Sequence, residues 1–247
     1  PNGAGKTTLL RILAGILKAQ KGQIRRQGQA IAYVPQFPGV YPELSVKALL
    51  ERTAIMRTGS TRSARLLTEE VISLLQLDAW VHVHGVHLPA DVKRRAALAV
   101  VWLVRAPVVL FDEPTAGLDT EERGIFWQEL YAFSQQDGAP KSFVMTTHLL
   151  EEVEQFCPFA LVLAQGTIRF AGTTSALIEA VRPRTFWAPW ADALPKKSWV
   201  TQRVDGQKKA VLMQDIPSSL PSGWTARAPF MVDGYLWQVE GYEEPTS

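Results

Sequence analysis

The chain has 247 residues, 47% of them hydrophobic and 20% charged, with a formal net charge of +2. That length accommodates one large domain, or a large and a small one, and the near-neutral balance gives no charge-based case for nucleic-acid binding. Cys157 is the only cysteine, which excludes an intrachain disulfide, and no run of about 18 uncharged apolar residues is present to span a membrane.

The opening stretch, Pro-Asn-Gly-Ala-Gly-Lys-Thr-Thr from Pro1 to Thr8, carries the strongest chemical signal. Gly3 and Gly5 let backbone amides close around a phosphate with no Cβ in the way. In such a loop Lys6 reaches the β- and γ-phosphates, and the Thr7 hydroxyl is a ligand for Mg²⁺. Apolar residues at helical spacing follow Thr8, so the loop opens a helix whose N-terminal amides face the anion. The full phosphate-loop pattern has a further glycine before Gly3 and a buried strand leading into it, so residues upstream of Pro1 are expected.

Gly28 to Pro35 reads as a short strand stopped by proline, with Gln36 directly after it. A glutamine at a strand end beside a phosphate loop can complete a Mg²⁺ shell or orient an attacking water. A helical stretch follows Pro42, with Ser45 as its cap and Val46, Leu49 and Leu50 as its apolar stripe. Gly59 to Ser63 breaks the pattern. A second helix is expected over Ala64 to Leu75, burying Leu66, Leu67, Val71, Leu74 and Leu75. His82, His84 and His87 suggest a shared ion, but the stretch reads better as an exposed loop or short strand.

The next helix starts at Leu88, with Pro89 suited to its first position and Asp91 to its electropositive first turn. Leu98, Val101, Trp102 and Val104 form its buried side, and it stops near Pro107. Val108 to Phe111 is apolar without alternation, as in a central strand buried on both faces. Asp112 ends that strand, where it can hold the Mg²⁺ ligated by Thr7, and Glu113 is placed to polarise a water toward a γ-phosphate. Adjacent carboxylates repel unless a cation lies between them. Asp119 caps a helix carrying Phe126, Leu130 and Phe133. Ser142 to Thr147 is one more strand, ending at His148, whose imidazole can touch the γ-phosphate or hold the water with Glu113. Leu149 to Phe156 is helical. Ala160 to Gly172 closes this part as a strand pair with Leu161 and Leu163 facing inward.

After Val181 prolines break up helices. Lys197 to Met213 reads as a hairpin turning at Asp205-Gly206, with Val200, Val204, Val211 and Met213 as packing positions. Tyr235 to Val239 fits a strand or a short helix. Trp187, Trp190, Trp199, Trp224 and Trp237 suit the core of a small β-rich domain better than a nucleic-acid surface.

The ordered set Gly-Lys-Thr-Thr, Gln36, Phe-Asp-Glu-Pro, Ala-Gly-Leu-Asp and Thr-Thr-His resembles the ATP-binding subunit of an ABC transporter, from Pro1 to about Leu177. The resemblance implies an α/β P-loop NTPase over 1–178 with a helical subdomain near 40–106, and a small β-rich accessory part over 182–247. It implies ATP and Mg²⁺ as cofactors, with Asn2, Gly3, Ala4, Gly5, Lys6, Thr7 and Thr8 on the nucleotide and Thr7, Gln36 and Asp112 on the metal. Glu113 corresponds to the catalytic glutamate, Gln36 to the Q-loop, Asp119 to the D-loop and His148 to the switch histidine. It further implies a head-to-tail pair of ATPase subunits on the cytoplasmic face of the membrane, driving separate permease subunits and binding no nucleic acid. The tail, through Asp233, Tyr235 and Leu236, resembles the extension of multidrug and antibiotic-resistance exporters.

One motif departs. The family's Leu-Ser-Gly-Gly-Gln signature, which meets ATP on the opposite subunit, is here Leu88-Pro89-Ala90-Asp91-Val92. Pro89 has neither hydroxyl nor amide hydrogen, and Asp91 brings like charge toward phosphate, a repulsion of roughly 4 kcal/mol at about 4 Å and an effective dielectric near 20. Lys93, Arg94 and Arg95 offset it in part. A weakly hydrolysing regulatory subunit paired with an active partner is therefore the alternative. A soluble ABC ATPase of translation or DNA repair is a third reading, and it lacks the long coiled coils or zinc motifs of that class.

Overall fold

The unbroken apolar run Val108–Phe111 becomes the strand around which the first half of the molecule is built. The structure is a computed structural model, and it describes all residues except 27, 37–41, 191, 196–197, 205–207, 216–217 and 241–247, with the side chains of 202–204 also outside the description. The chain divides into two compact units, Lys6–Thr147 and Pro1–Gly5 with His148–Ser247.

In the first unit β2 (Val108–Asp112) lies between β1 (Ile31–Val34) and β3 (Ser142–Thr146) in a parallel sheet. The register sets Val34 beside Phe111 and Asp112 beside Thr146, so the carboxyl ends of the strands are level. That edge is where open parallel sheets bind ligands. α1 (Lys6–Ala14) buries Leu10 and packs on β1 and β2. α5 (Thr120–Ser134) starts with a reciprocal cap: Asp119 accepts from the Glu122 amide at 2.9 Å, and Glu122 accepts from the Asp119 amide at 2.9 Å. It buries Phe126, Leu130 and Phe133 as expected, with Phe126 edge-on to Phe111 at 6.4 Å.

α2 (Val46–Thr58) is capped by Ser45, which accepts from the Ala48 amide at 3.2 Å, and buries Val46, Leu49 and Leu50. Gly59 ends it in the left-handed region (φ 64°), a conformation a Cβ would penalise by about 1–2 kcal/mol. α3 (Thr61–Leu74) corrects the expected stripe. Ala64, Thr68, Val71 and Ile72 are buried, while Leu66 is 63% exposed. Val71 and Leu75 are buried as expected, but the inward face also carries a small residue and a hydroxyl, which leucine spacing does not reveal. Val81 to His87 forms turns, joined to Ser45 by a bridge at His84.

α4 (Ala90–Val104) buries Leu98, Val101 and Trp102, but Val104 is exposed. Pro89 is not its first residue. It is the cap before Ala90, with ψ 158°, because an extended entry positions the chain without asking Pro89 for an amide hydrogen.

In the second unit β4 (Phe159–Ala164) and β5 (Thr167–Thr173) form the expected antiparallel pair. The inward side chains are Val162 and Ala164, whereas Leu161 is 49% exposed and Leu163 half-buried. Strand faces alternate strictly, so the choice of face comes from what packs there: Leu177 and Met231 cluster with Val162. These come from α7 (Thr174–Glu179) and α8 (Met231–Val239), and α6 (Leu150–Phe156) adds Leu150 and Val153. Tyr235 to Val239 is thus helical.

The tail is β-rich, as expected: β6 (Thr185–Pro189), β7 (Ser198–Val204), β8 (Lys208–Met213) and β9 (Thr225–Ala226) run antiparallel in the order β7-β8-β6-β9. Phe186, Ala188, Val211, Met213 and Trp224 are its core, and Val200 is exposed. The Asp205-Gly206 turn and the Val204 side chain lie outside the described residues. Gly234 in α8 lets the helix touch α7, since a Cβ there would stand 2.4 Å from the Leu177 carbonyl oxygen. Gly234→Ala is expected to destabilise this unit by about 1–3 kcal/mol, read as a lower urea midpoint with an unchanged slope.

Candidate functional site

Lys6, Thr7, Gln36, Asp112 and Glu113 come together at the carboxyl edge of the first unit's sheet. Thr7 is in the first turn of α1, and its hydroxyl donates to Asp112 Oδ1 at 2.9 Å. Asp112, at the end of β2, is only 3% exposed. A buried carboxylate is costly unless hydrogen-bonded, and here the hydroxyls do it. Thr146 donates to the same Oδ1 at 2.8 Å, and the Tyr33 hydroxyl donates to Oδ2 at 3.0 Å.

Glu113 is handled differently. Its backbone sits in the left-handed region (φ 46°), which is strained for a non-glycine residue. The turn is held by its amide, which donates to the Thr146 carbonyl (3.1 Å) and to Thr146 Oγ1 (3.0 Å). This bend separates two neighbouring carboxylates that would otherwise repel. Glu113 Oε1 lies 3.8 Å from the Lys6 ammonium, and Oε2 lies 3.5 Å from Gln36 Nε2. Asp112 is ringed by hydroxyls, whereas Glu113 is within reach of a cation and an amide.

The remaining expected residues are placed as follows. Gly3 and Gly5 have positive φ (75° and 99°), the conformation a phosphate-wrapping loop demands. Ala4 is buried and accepts from the Gly166 amide at 3.2 Å. Asn2 and Thr8 are exposed. His148 follows β3 by two positions, in the second unit with Asn2 to Gly5.

The sequence assigns no role at this edge to Tyr33, Arg11 or Thr146, and marks Arg94 only as a charge offsetting Asp91. Arg11 Nε donates to the Tyr33 oxygen at 3.4 Å. Burial pushes the Tyr33 phenol up, the Arg11 hydrogen bond working against it, so it stays a donor at neutral pH. Arg94 feels the Asp91 charge but directs its hydrogen bonds elsewhere. Its Nε and Nη2 donate to the carbonyls of Pro114 (3.0 Å) and Ala116 (3.2 Å), fastening α4 to the loop after Glu113, and its burial lowers its pKa. Asp91 is instead paired with Arg95 at 3.0 Å. Leu88 and Val92 are buried, while Pro89, Ala90 and Asp91 are exposed. These partners lie about twenty to eighty positions apart in the chain, so only strand register and helix phase bring them together.

The donor set suits Mg²⁺. A hydroxyl, a carboxylate and an amide oxygen are hard ligands, and Mg²⁺ takes one or two carboxylates with substrate phosphates rather than an all-protein cage. Among the described residues there is no group of three or more His, Cys, Asp or Glu that could hold a metal ion. No helix among them is long and apolar enough to cross a membrane.

Residues 1–116 match a family model described as ABC transporter. Nod factor export ATP-binding protein I of Paraburkholderia xenovorans (strain LB400) is 32% identical over 189 residues, covering 72% of this chain and 61% of that protein. ATP-binding cassette sub-family A member 6 of Mus musculus is 30% identical over 184 residues, 70% of this chain and 11% of that one. The chain thus spans about three fifths of the length of the first of these relatives. Among solved structures, cbiO1 from Clostridium perfringens, part of the ABC transporter complex cbiONQ, superposes with a TM-score of 0.61 at 24% identity, over 74% of this chain and 79% of that one.

Proposed function

We infer from the family match over residues 1–116 and from the relatives that the chain is of the ABC transporter family with its P-loop NTPase fold, and propose that it is an ATP-binding subunit that binds and hydrolyses Mg-ATP to drive export. The observation that carries the reading is the convergence of Lys6 and Thr7 with Asp112 and Glu113 at one sheet edge. Asn2 to Thr8 would hold the phosphates, and Thr7, Gln36 and Asp112 would hold Mg²⁺. A bound Mg²⁺ supplies charge neutralisation on the phosphate oxygens. Glu113 takes the proton of the attacking water, Gln36 orients that water, and His148 contacts the γ-phosphate. We assign 1–178 to the ATPase domain, with its helical part near 40–106, and 182–247 to an accessory part.

Partners follow from the relatives' names. An export ATP-binding protein and a part of a transporter complex support membrane permease partners, which would hold this chain at the cytoplasmic face, while a second ATPase subunit rests on the motif resemblance alone. A second reading rests on Pro89 and Asp91, exposed where the family offers a serine and glycine to a neighbour's nucleotide. This subunit would then bind ATP and pair with an active partner, leaving the composite site at Leu88–Val92 slow.

The test is nucleotide binding by the full chain. Wild type should bind Mg-ATP, and Lys6→Ala should weaken it by about 10- to 150-fold, the loss of one hydrogen bond from a charged donor at roughly 1.5–3 kcal/mol. Titration calorimetry reads both. Absence of Mg-ATP binding in wild type sinks the proposal.

A further inference from the structure

We propose that Tyr33 is a positioning residue for the metal side of the site: its phenol fixes the Asp112 carboxylate and so sets the affinity for the divalent cation. The inference rests on the nucleotide-binding reading above and adds a residue to it. The two oxygens of Asp112 have separate duties. Oδ1 accepts from Thr7 and Thr146 at 2.9 and 2.8 Å, and Oδ2 accepts from Tyr33 at 3.0 Å. With Oδ2 engaged, rotation of the carboxylate is blocked and Oδ1 stays toward Thr7.

The phenol is itself held. Arg11 donates to its oxygen at 3.4 Å, which engages a lone pair while the O–H is directed at Asp112. Arg11 and Thr7 are four residues apart on α1, so they share one helix face. A single helix therefore delivers the hydroxyl that touches Oδ1 and the guanidinium that orients the group on Oδ2. Groups hydrogen-bonded to a metal-binding carboxylate tune its affinity, and losing one costs about 10–100-fold.

Tyr33→Phe keeps the ring and removes only the hydroxyl. Mn²⁺ serves as the probe, titrated by electron paramagnetic resonance into the full chain saturated with ATP. The expected result is about 10-fold weaker Mn²⁺ binding in Tyr33→Phe, with ATP binding in EDTA and the thermal midpoint unchanged. Arg11→Gln should move Mn²⁺ affinity the same way by a smaller factor, and it carries the test if Tyr33→Phe does not fold. Unchanged Mn²⁺ affinity overturns the proposal. So does an equal loss of ATP binding in EDTA, which marks Tyr33 as packing alone. Wild type that binds neither ATP nor Mn²⁺ overturns the nucleotide reading as well, and so is told apart from a failure of Tyr33 only.

Discussion

Glu113→Gln, in the complex assembled with the proposed membrane subunits, is expected to lower ATP hydrolysis by about 10²- to 10⁴-fold, the range a positioned general base supplies, and to leave Mg-ATP binding intact. Glutamine matches glutamate in size and can still meet Gln36, 3.5 Å from Oε2 in the native chain. It cannot take a proton from water. The backbone at Glu113, held in the left-handed region by two bonds to Thr146, is untouched by the change, so the geometry persists. Phosphate release under single-turnover conditions measures the step, and a filter-binding assay checks retention of nucleotide. If the assembled complex keeps its full rate, the site built on this subunit's own Lys6 and Glu113 does not do the hydrolysis. Loss of binding together with rate would mean instead that Glu113 is needed to build the site, beside Lys6 at 3.8 Å.

The second large effect is structural. Asp233→Asn is expected to destabilise the second unit by about 3–5 kcal/mol, because it strands a buried guanidinium. Arg227 and Asp233 are 2% and 0% exposed and paired by two bonds of 2.6 and 2.7 Å. Arg227 also donates to Thr201 Oγ1 (2.9 Å) and the Ala228 carbonyl (2.9 Å), and it lies over the Phe230 ring at 4.6 Å. Asp233 in turn accepts from the Phe230 amide at 2.6 Å, at the start of α8. The pair connects strand β7, the segment after β9, and the helix. Hydrogen exchange should show lost protection across β6 to β9 and α8, with Lys6–Thr147 unaffected. The double change Arg227→Met with Asp233→Leu should recover much of the loss, since replacing both ions avoids an uncompensated charge. A cost below about 1 kcal/mol for Asp233→Asn would refute the account.

The C-terminal match had marked Asp233, Tyr235 and Leu236 as a family pattern without a reason for it. Burial supplies the reason for Asp233: it answers Arg227, six positions earlier, and no periodicity in the tail announces that. The same contrast holds at the carboxyl edge of the first unit's sheet. The phosphate loop, the buried strand ending in Asp112, the Ser45 and Asp119 caps and the glycine break at Gly59 are all written in contiguous residues. Each follows from local backbone sterics, capping and hydrophobic spacing, so one dimension suffices to read them. The hydroxyls of Tyr33 and Thr146 on Asp112, the Arg94 link to Pro114 and Ala116, the choice of Val162 over Leu161 and the solvent-facing Leu66 needed the tertiary structure. They depend on strand register and on which surface a neighbouring element covers, and those are properties of packing between segments distant in the chain.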